Sequence, residues 1–147
     1  MLNLILGIVI TVISTLVGKN VTDNYKRKFN LFSDMEILNN NFIVNLNYNK
    51  NNLNKFLKTI DEKSEVDKIV SRNLYPSYLS VDEKTFIENY FNEVGKHGYL
   101  SEKEFLNSSS EKIKEYKSKS KADAEKFSSL GEKVGFLFGV IFLILII

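Results

Sequence analysis

Hydrophobic and polar positions fall into three blocks along this chain. Met1 to Gly18 (MLNLILGIVITVISTLVG) and Val134 to Ile147 (VGFLFGVIFLILII) carry no charge, and all 38 charged side chains, 20 basic and 18 acidic, lie between Lys19 and Lys133. Neither apolar block has the regular polar positions of a helix lying on a water-facing core. The pattern therefore predicts a transmembrane helix over 1–18, a polar domain over 19–133 and a second transmembrane helix over 134–147, with an alternative start near 130. A hydrocarbon core about 30 Å thick needs roughly 17–25 helical residues, and the first block reaches the lower limit. The second would span about 21 Å as a helix, or about 27 Å counted from Leu130 with Glu132 and Lys133 snorkelling to the interface. A half-inserted hydrophobic tail is the alternative for this end. A signal peptide is the alternative for the first, but its leading residues hold no Lys or Arg and no small-x-small cleavage site precedes the charged stretch.

Within the polar block the apolar residues recur at helical spacing. Leu31, Met35, Leu38, Phe42 and Leu46, preceded by Tyr25, Phe29 and Phe32, extend the first helix some 25 residues beyond Lys19, as far as the Asn-rich stretch 45–52. Leu53, Phe56, Leu57 and Ile60 predict a short second helix, and Val66, Ile69 and Val70 after Ser64 a third. Tyr75-Pro76-Ser77 breaks the chain. Ser80-Val81-Asp82-Glu83 is a capping box that opens a helix with Phe86, Ile87, Tyr90, Phe91 and Val94 on one side, and Gly95 is suited to close it. Ser101-Glu102-Lys103-Glu104 reads as a second capping box, opening a polar helix that carries Phe105, Leu106, Ile113, Tyr116 and Phe127. No Pro or Gly interrupts that helix before Gly131, so it is expected to continue into the last apolar block as one helix of more than 40 residues. No segment shows sustained strand alternation. The expected fold is all-α: an antiparallel cytoplasmic helical bundle flanked by N- and C-terminal transmembrane helices.

Charge sets the expected orientation. Lys19, Lys26, Arg27 and Lys28 follow the first apolar block, and Lys126 and Lys133 stand before the second. The positive-inside rule then places the central domain in the cytoplasm and both termini on the outer side of the cell membrane. These six basic residues are candidate membrane-proximal groups that fix topology or dock a partner. Small residues form a second pattern. Gly131, Gly135 and Gly139 make two overlapping GxxxG steps, and Gly7, Thr11, Ser14 and Gly18 fall on one side of the first helix. Such stripes allow close helix approach in lipid, so the two apolar helices are expected to pack on each other or on a partner helix.

Composition removes most chemistries. There is no Cys and a single His, His97, which leaves zinc without a ligand set and rules out a disulfide framework. No phosphate-binding glycine loop and no HExxH occur. His97, between Gly95 and Gly98, reads as a loop residue, and the Lys112 to Lys121 run, interleaved with Glu111 and Glu115, as solvated helix surface. The net charge of +2 gives no strong field toward nucleic acid. The expectation is a protein that is not an enzyme, takes no cofactor and does not bind nucleic acid.

Three passages carry a family resemblance. Residues 1–19 (MLNLILGIVITVISTLVGK), with Tyr25-Lys26-Arg27-Lys28 and Leu31 after them, Phe32 to Leu38 (FSDMEIL), and residues 129–147 (SLGEKVGFLFGVIFLILII) resemble the stage III sporulation protein AB family of endospore-forming bacteria. Length and the two-anchor layout agree over the chain. One feature departs: the Gly-x-x-Asp-x-x-x-Gln pattern before that family's last helix is absent after Gly95, where Ser101 stands as the cap. The resemblance implies a platform component of the mother cell–forespore channel, in the mother-cell membrane around the forespore. It further implies likeness to the F-type platform proteins of type II secretion and type IV pilus machines. The partners implied are a secretion-type ATPase docked on the cytoplasmic helices and other channel subunits, with a homo-oligomer as a further possibility. A holin-like pore former shares two spans and small size, but about 115 structured polar residues between its spans would be out of character. A generic doubly anchored membrane scaffold is the coarser alternative. A sensor would be left with only a few residues on the outer side to bind a ligand.

Overall fold

The computed structural model describes residues 2–48, 64–128 and 130–146. Among these residues there are five α-helices and no strand: α1 Leu2–Tyr48, α2 Glu65–Arg72, α3 Val81–Glu93, α4 Tyr99–Ser128 and α5 Leu130–Ile146. The all-helical fold class is as the periodicity predicts. The short helix expected around Leu53 to Ile60 lies outside the described residues. So does Ser129, and with it the continuity expected between the last polar helix and the last apolar block; the described residues form two helices there, of 30 and 17 residues.

Contacts divide the chain into two compact units. One joins the residues up to Arg27 with those from Ser120 onward, and the other is Lys28–Lys119. In the latter, four helices contribute to one apolar core: Leu31, Phe32, Met35, Leu38 and Phe42 from α1, Val66 and Ile69 from α2, Ile87 and Tyr90 from α3, Leu106 and Ile113 from α4. The α1 residues recur at steps of three and four, so a single stripe of that helix is buried. Each fully buried aliphatic or aromatic side chain contributes about 1.5–3 kcal/mol. Phe86 and Tyr116 extend the cluster, with ring centroids 5.4 Å apart, and Tyr116 lies 5.2 Å from Phe32.

Local signals set the helix ends. The Ser64 hydroxyl accepts from the Asp67 N–H at 3.0 Å, and α2 closes on Asn73 in the left-handed region (φ 53°), where Asn is tolerated better than most residues. At α3 both bonds of the predicted capping box are present. The Glu83 N–H donates to Ser80 Oγ at 3.3 Å, and the Ser80 N–H donates to the Glu83 carboxylate at 2.8 Å. Gly95, at φ 85°, follows the end of α3 and supplies a backbone state costly for other residues.

The second predicted capping box is corrected. Helix α4 begins at Tyr99, so Ser101 lies inside its first turn and is exposed. The Gly98 carbonyl accepts the first helical bond, from the Glu102 N–H at 2.8 Å. Glu102 is buried, and its carboxylate accepts from the Gly95 and His97 N–H groups at 2.9 and 3.2 Å. A carboxylate in the first turn that satisfies two loop donors at once, near the positive end of the helix, outcompetes a hydroxyl serving one.

Candidate functional site

The unit formed by the start of α1, the end of α4 and α5 contains the small residues. Gly7 faces Leu143, Thr11 faces Gly139, Ser14 faces Gly135 and Gly18 faces Gly131. The pairing runs in opposite directions along the two helices, so all seven small residues named from the sequence lie in one seam. The approach is backbone to backbone. A Cβ at Gly135 would lie 2.5 Å from the Ser14 carbonyl oxygen, and one at Gly139 would lie 2.5 Å from Thr11 Cα. At Gly18 and Gly131 each added Cβ would run into the other residue's carbonyl group. Gly7 is more permissive, because its neighbour is the Leu143 side chain at 3.1 Å. Hydroxyls within the helix turn inward on their own backbone: Thr11 donates to the Gly7 carbonyl and Thr15 to that of Thr11, both at 2.9 Å.

Thr22 is the residue the sequence reading missed. It is buried, and its hydroxyl lies 3.2 Å from the Gly18 carbonyl oxygen and 3.3 Å from that of Phe127. It tops the same face of α1, four residues after Gly18, and that spacing was the available signal. One turn further, Tyr25 stacks on Phe127 with centroids 4.7 Å apart.

The candidate basic residues separate into two kinds. Lys19, Lys26, Arg27, Lys126 and Lys133 are exposed, and the Lys126 ammonium sits 5.4 Å from the Phe127 ring centroid. Lys28 differs. Its ammonium is 2.7 Å from the Glu83 carboxylate and its side chain is only 15% exposed, so it serves the interior of the Lys28–Lys119 unit. Glu83 thus has two tasks, capping α3 and pairing Lys28. Burial pushes its carboxyl upward, but the bonds from Lys28 and Ser80 outweigh that, and the net effect lowers it.

A second buried polar group lies on α1. The Asn39 side chain is fully buried, donates to the Leu106 carbonyl at 3.0 Å and accepts from the Tyr90 hydroxyl at 3.0 Å. Burial, with the Glu102 charge adding to it, raises the Tyr90 phenol far above its ordinary range, so it stays a donor. Lys117 of α4 pairs with Glu36 of α1 at 2.6 Å and lies over the Phe29 ring, so this member of the lysine run is committed internally. The His97 ring lies 3.5 Å from the Glu93 carboxylate and is about one-third exposed. No group of three or more His, Cys, Asp or Glu that could hold a metal occurs among the described residues.

No protein-family model, curated protein or solved structure matches this chain.

Proposed function

We propose that this chain is a non-enzymatic membrane platform whose cytoplasmic helices dock a partner protein. The carrying observation is an apolar surface on two helices that water would not tolerate. Along α1, Ile5, Val9, Ile13, Leu16 and Val17 are 51–60% exposed, and on α5 Phe136, Leu137, Phe138 and Ile144 are 54–69% exposed. Contiguous apolar surface of this extent marks a membrane or protein interface. Helix α1 is long and apolar enough to cross a membrane; Lys133–Leu145 has the same character over a shorter length. The glycine seam supports reading the two as a pair of membrane helices, at 1–18 and 134–147, the second with an alternative start near 130. On this reading residues 19–133 form an antiparallel helical bundle in the cytoplasm.

The resemblance gives the platform its specific form: a subunit of the mother cell–forespore channel that docks a secretion-type ATPase. That form rests on residues 1–19 with Tyr25 to Lys28 and Leu31 after them, on 32–38 and 129–147, and on the length and two-anchor layout. An in-frame deletion, followed by membrane-dye microscopy through sporulation, tests it. Forespores that engulf and then shrink or stall, with normal vegetative growth, are expected. Unaffected sporulation, or a source that makes no spores, overturns the channel role and leaves a doubly anchored helical scaffold. Capture of the ATPase by the full-length protein in detergent is the matching biochemical expectation.

A further inference from the structure

Beside the glycine seam, the α1–α5 unit holds an open groove of about 670 Å³. Its walls are apolar: Val17 and Val21 from α1, Phe127 at the end of α4, and Val134, Phe138 and Phe142 from α5. Ser14, Gly18, Gly131 and Gly135 also line it, so the groove exists because the small residues leave space beside the seam. Along α5, from Leu130 to Phe142, it follows about 18 Å of helix rise, more than the roughly 15 Å of hydrocarbon in one leaflet. Its two ends differ chemically. The deep end, at Ile13 and Phe142, is wholly apolar. The other ends at Phe127, where Tyr25 stacks, the Thr22 hydroxyl meets the Phe127 carbonyl, and the Lys126 ammonium stands 5.4 Å from the ring. A long apolar slot with a cation at its polar mouth matches a molecule with one hydrocarbon tail per slot and a negative head.

We propose that this groove holds the acyl chain of an anionic phospholipid, with the phosphate headgroup against Lys126. The inference rests on the membrane reading above and goes beyond it, because it assigns the lipid class and the residues. A Lys near an anionic headgroup contributes about fivefold in local preference, which sets the size of the expected effect.

The chain has no Trp, so single tryptophans report without background. Phe138→Trp places one in the groove, and Phe136→Trp places one on α5 at a residue that does not line it. The full-length variants are reconstituted in mixed vesicles of phosphatidylcholine and phosphatidylglycerol, with bromine on the chains of one or the other lipid. Brominated phosphatidylglycerol is expected to quench F138W about fivefold more than its mole fraction predicts, while F136W follows mole fraction. Lys126→Gln, an exposed change, should return F138W to mole-fraction quenching. Quenching of F138W in proportion to mole fraction for either lipid overturns the proposal. So does quenching of F136W alone, which would mean that protein fills the groove. If neither tryptophan is quenched, the α1–α5 pair is not in the bilayer and the membrane reading itself fails.

Discussion

Single residues decide how the seam and the core hold together. At Gly135 a side chain meets the α1 backbone at Ser14 and Thr15, with no flexible side chain there to yield. Gly135→Leu is therefore expected to cost the helix pair about 1–3 kcal/mol. Spin labels at Leu16→Cys and Phe136→Cys, both exposed positions in a chain without native thiols, should then show a longer and broader separation. Gly7→Ala, against the movable Leu143 side chain, should leave that distance nearly unchanged. In the Lys28–Lys119 unit, Asn39→Leu orphans the buried Tyr90 hydroxyl and should destabilise by about 1–3 kcal/mol. Adding Tyr90→Phe should recover part of that loss, which a double-mutant cycle of thermal unfolding reads directly. Glu83 couples stability to acid. Its carboxyl is lowered in the folded chain, so its contribution is present above the ordinary carboxylate value and is lost as pH falls through the folded one. Thermal midpoints measured between pH 7 and pH 3 should fall less for Glu83→Gln than for the native chain, the variant starting lower because Lys28 is left unpaired.

At the scale of elements, the ends of α4 distinguish motif from structure. Ser101-x-x-Glu104 has the form of a capping box, yet the helix starts at Tyr99, three residues before the start that box would set, and Glu102 holds the preceding loop. Ser101→Ala should change stability by less than about 0.5 kcal/mol, and Glu102→Ala should cost about 1–3 kcal/mol by leaving two loop N–H groups without their carboxylate. Urea unfolding of the two variants separates the readings. The same comparison shows why one box was legible and the other was not. Ser80 follows a proline-broken stretch that cannot be helical, so the helix can start only there, whereas Tyr99 and Leu100 are free to join the helix once a buried carboxylate holds the loop before them.

At the scale of the molecule, charge distribution makes a topological prediction. Exposed Lys19, Lys26, Arg27, Lys126 and Lys133 lie next to the apolar segments in the sequence, and on the proposed membrane reading the positive-inside rule predicts that side to be cytoplasmic. A cysteine at exposed Lys103 should stay unlabelled by an impermeant thiol reagent in intact cells and react after permeabilisation; labelling in intact cells inverts the orientation.

The chain's own order of residues determined α1, α2 and α3, because periodicity of three to four, capping hydroxyls and one proline act over a single turn and need no partner. It also determined the apolar blocks and the small-residue stripes, since exclusion of 38 charges from two segments is visible without any fold. Only tertiary structure decided that Lys28 faces Glu83 rather than lipid headgroups, that Asn39 is buried against Tyr90 and Leu106, and that Thr22 caps the seam through Phe127. Those partners are 51 to 105 residues apart. A polar side chain on a helix face is read from sequence as solvated until a distant donor or acceptor arrives to satisfy it, and only the packing of the helices brings that partner within 3 Å or so.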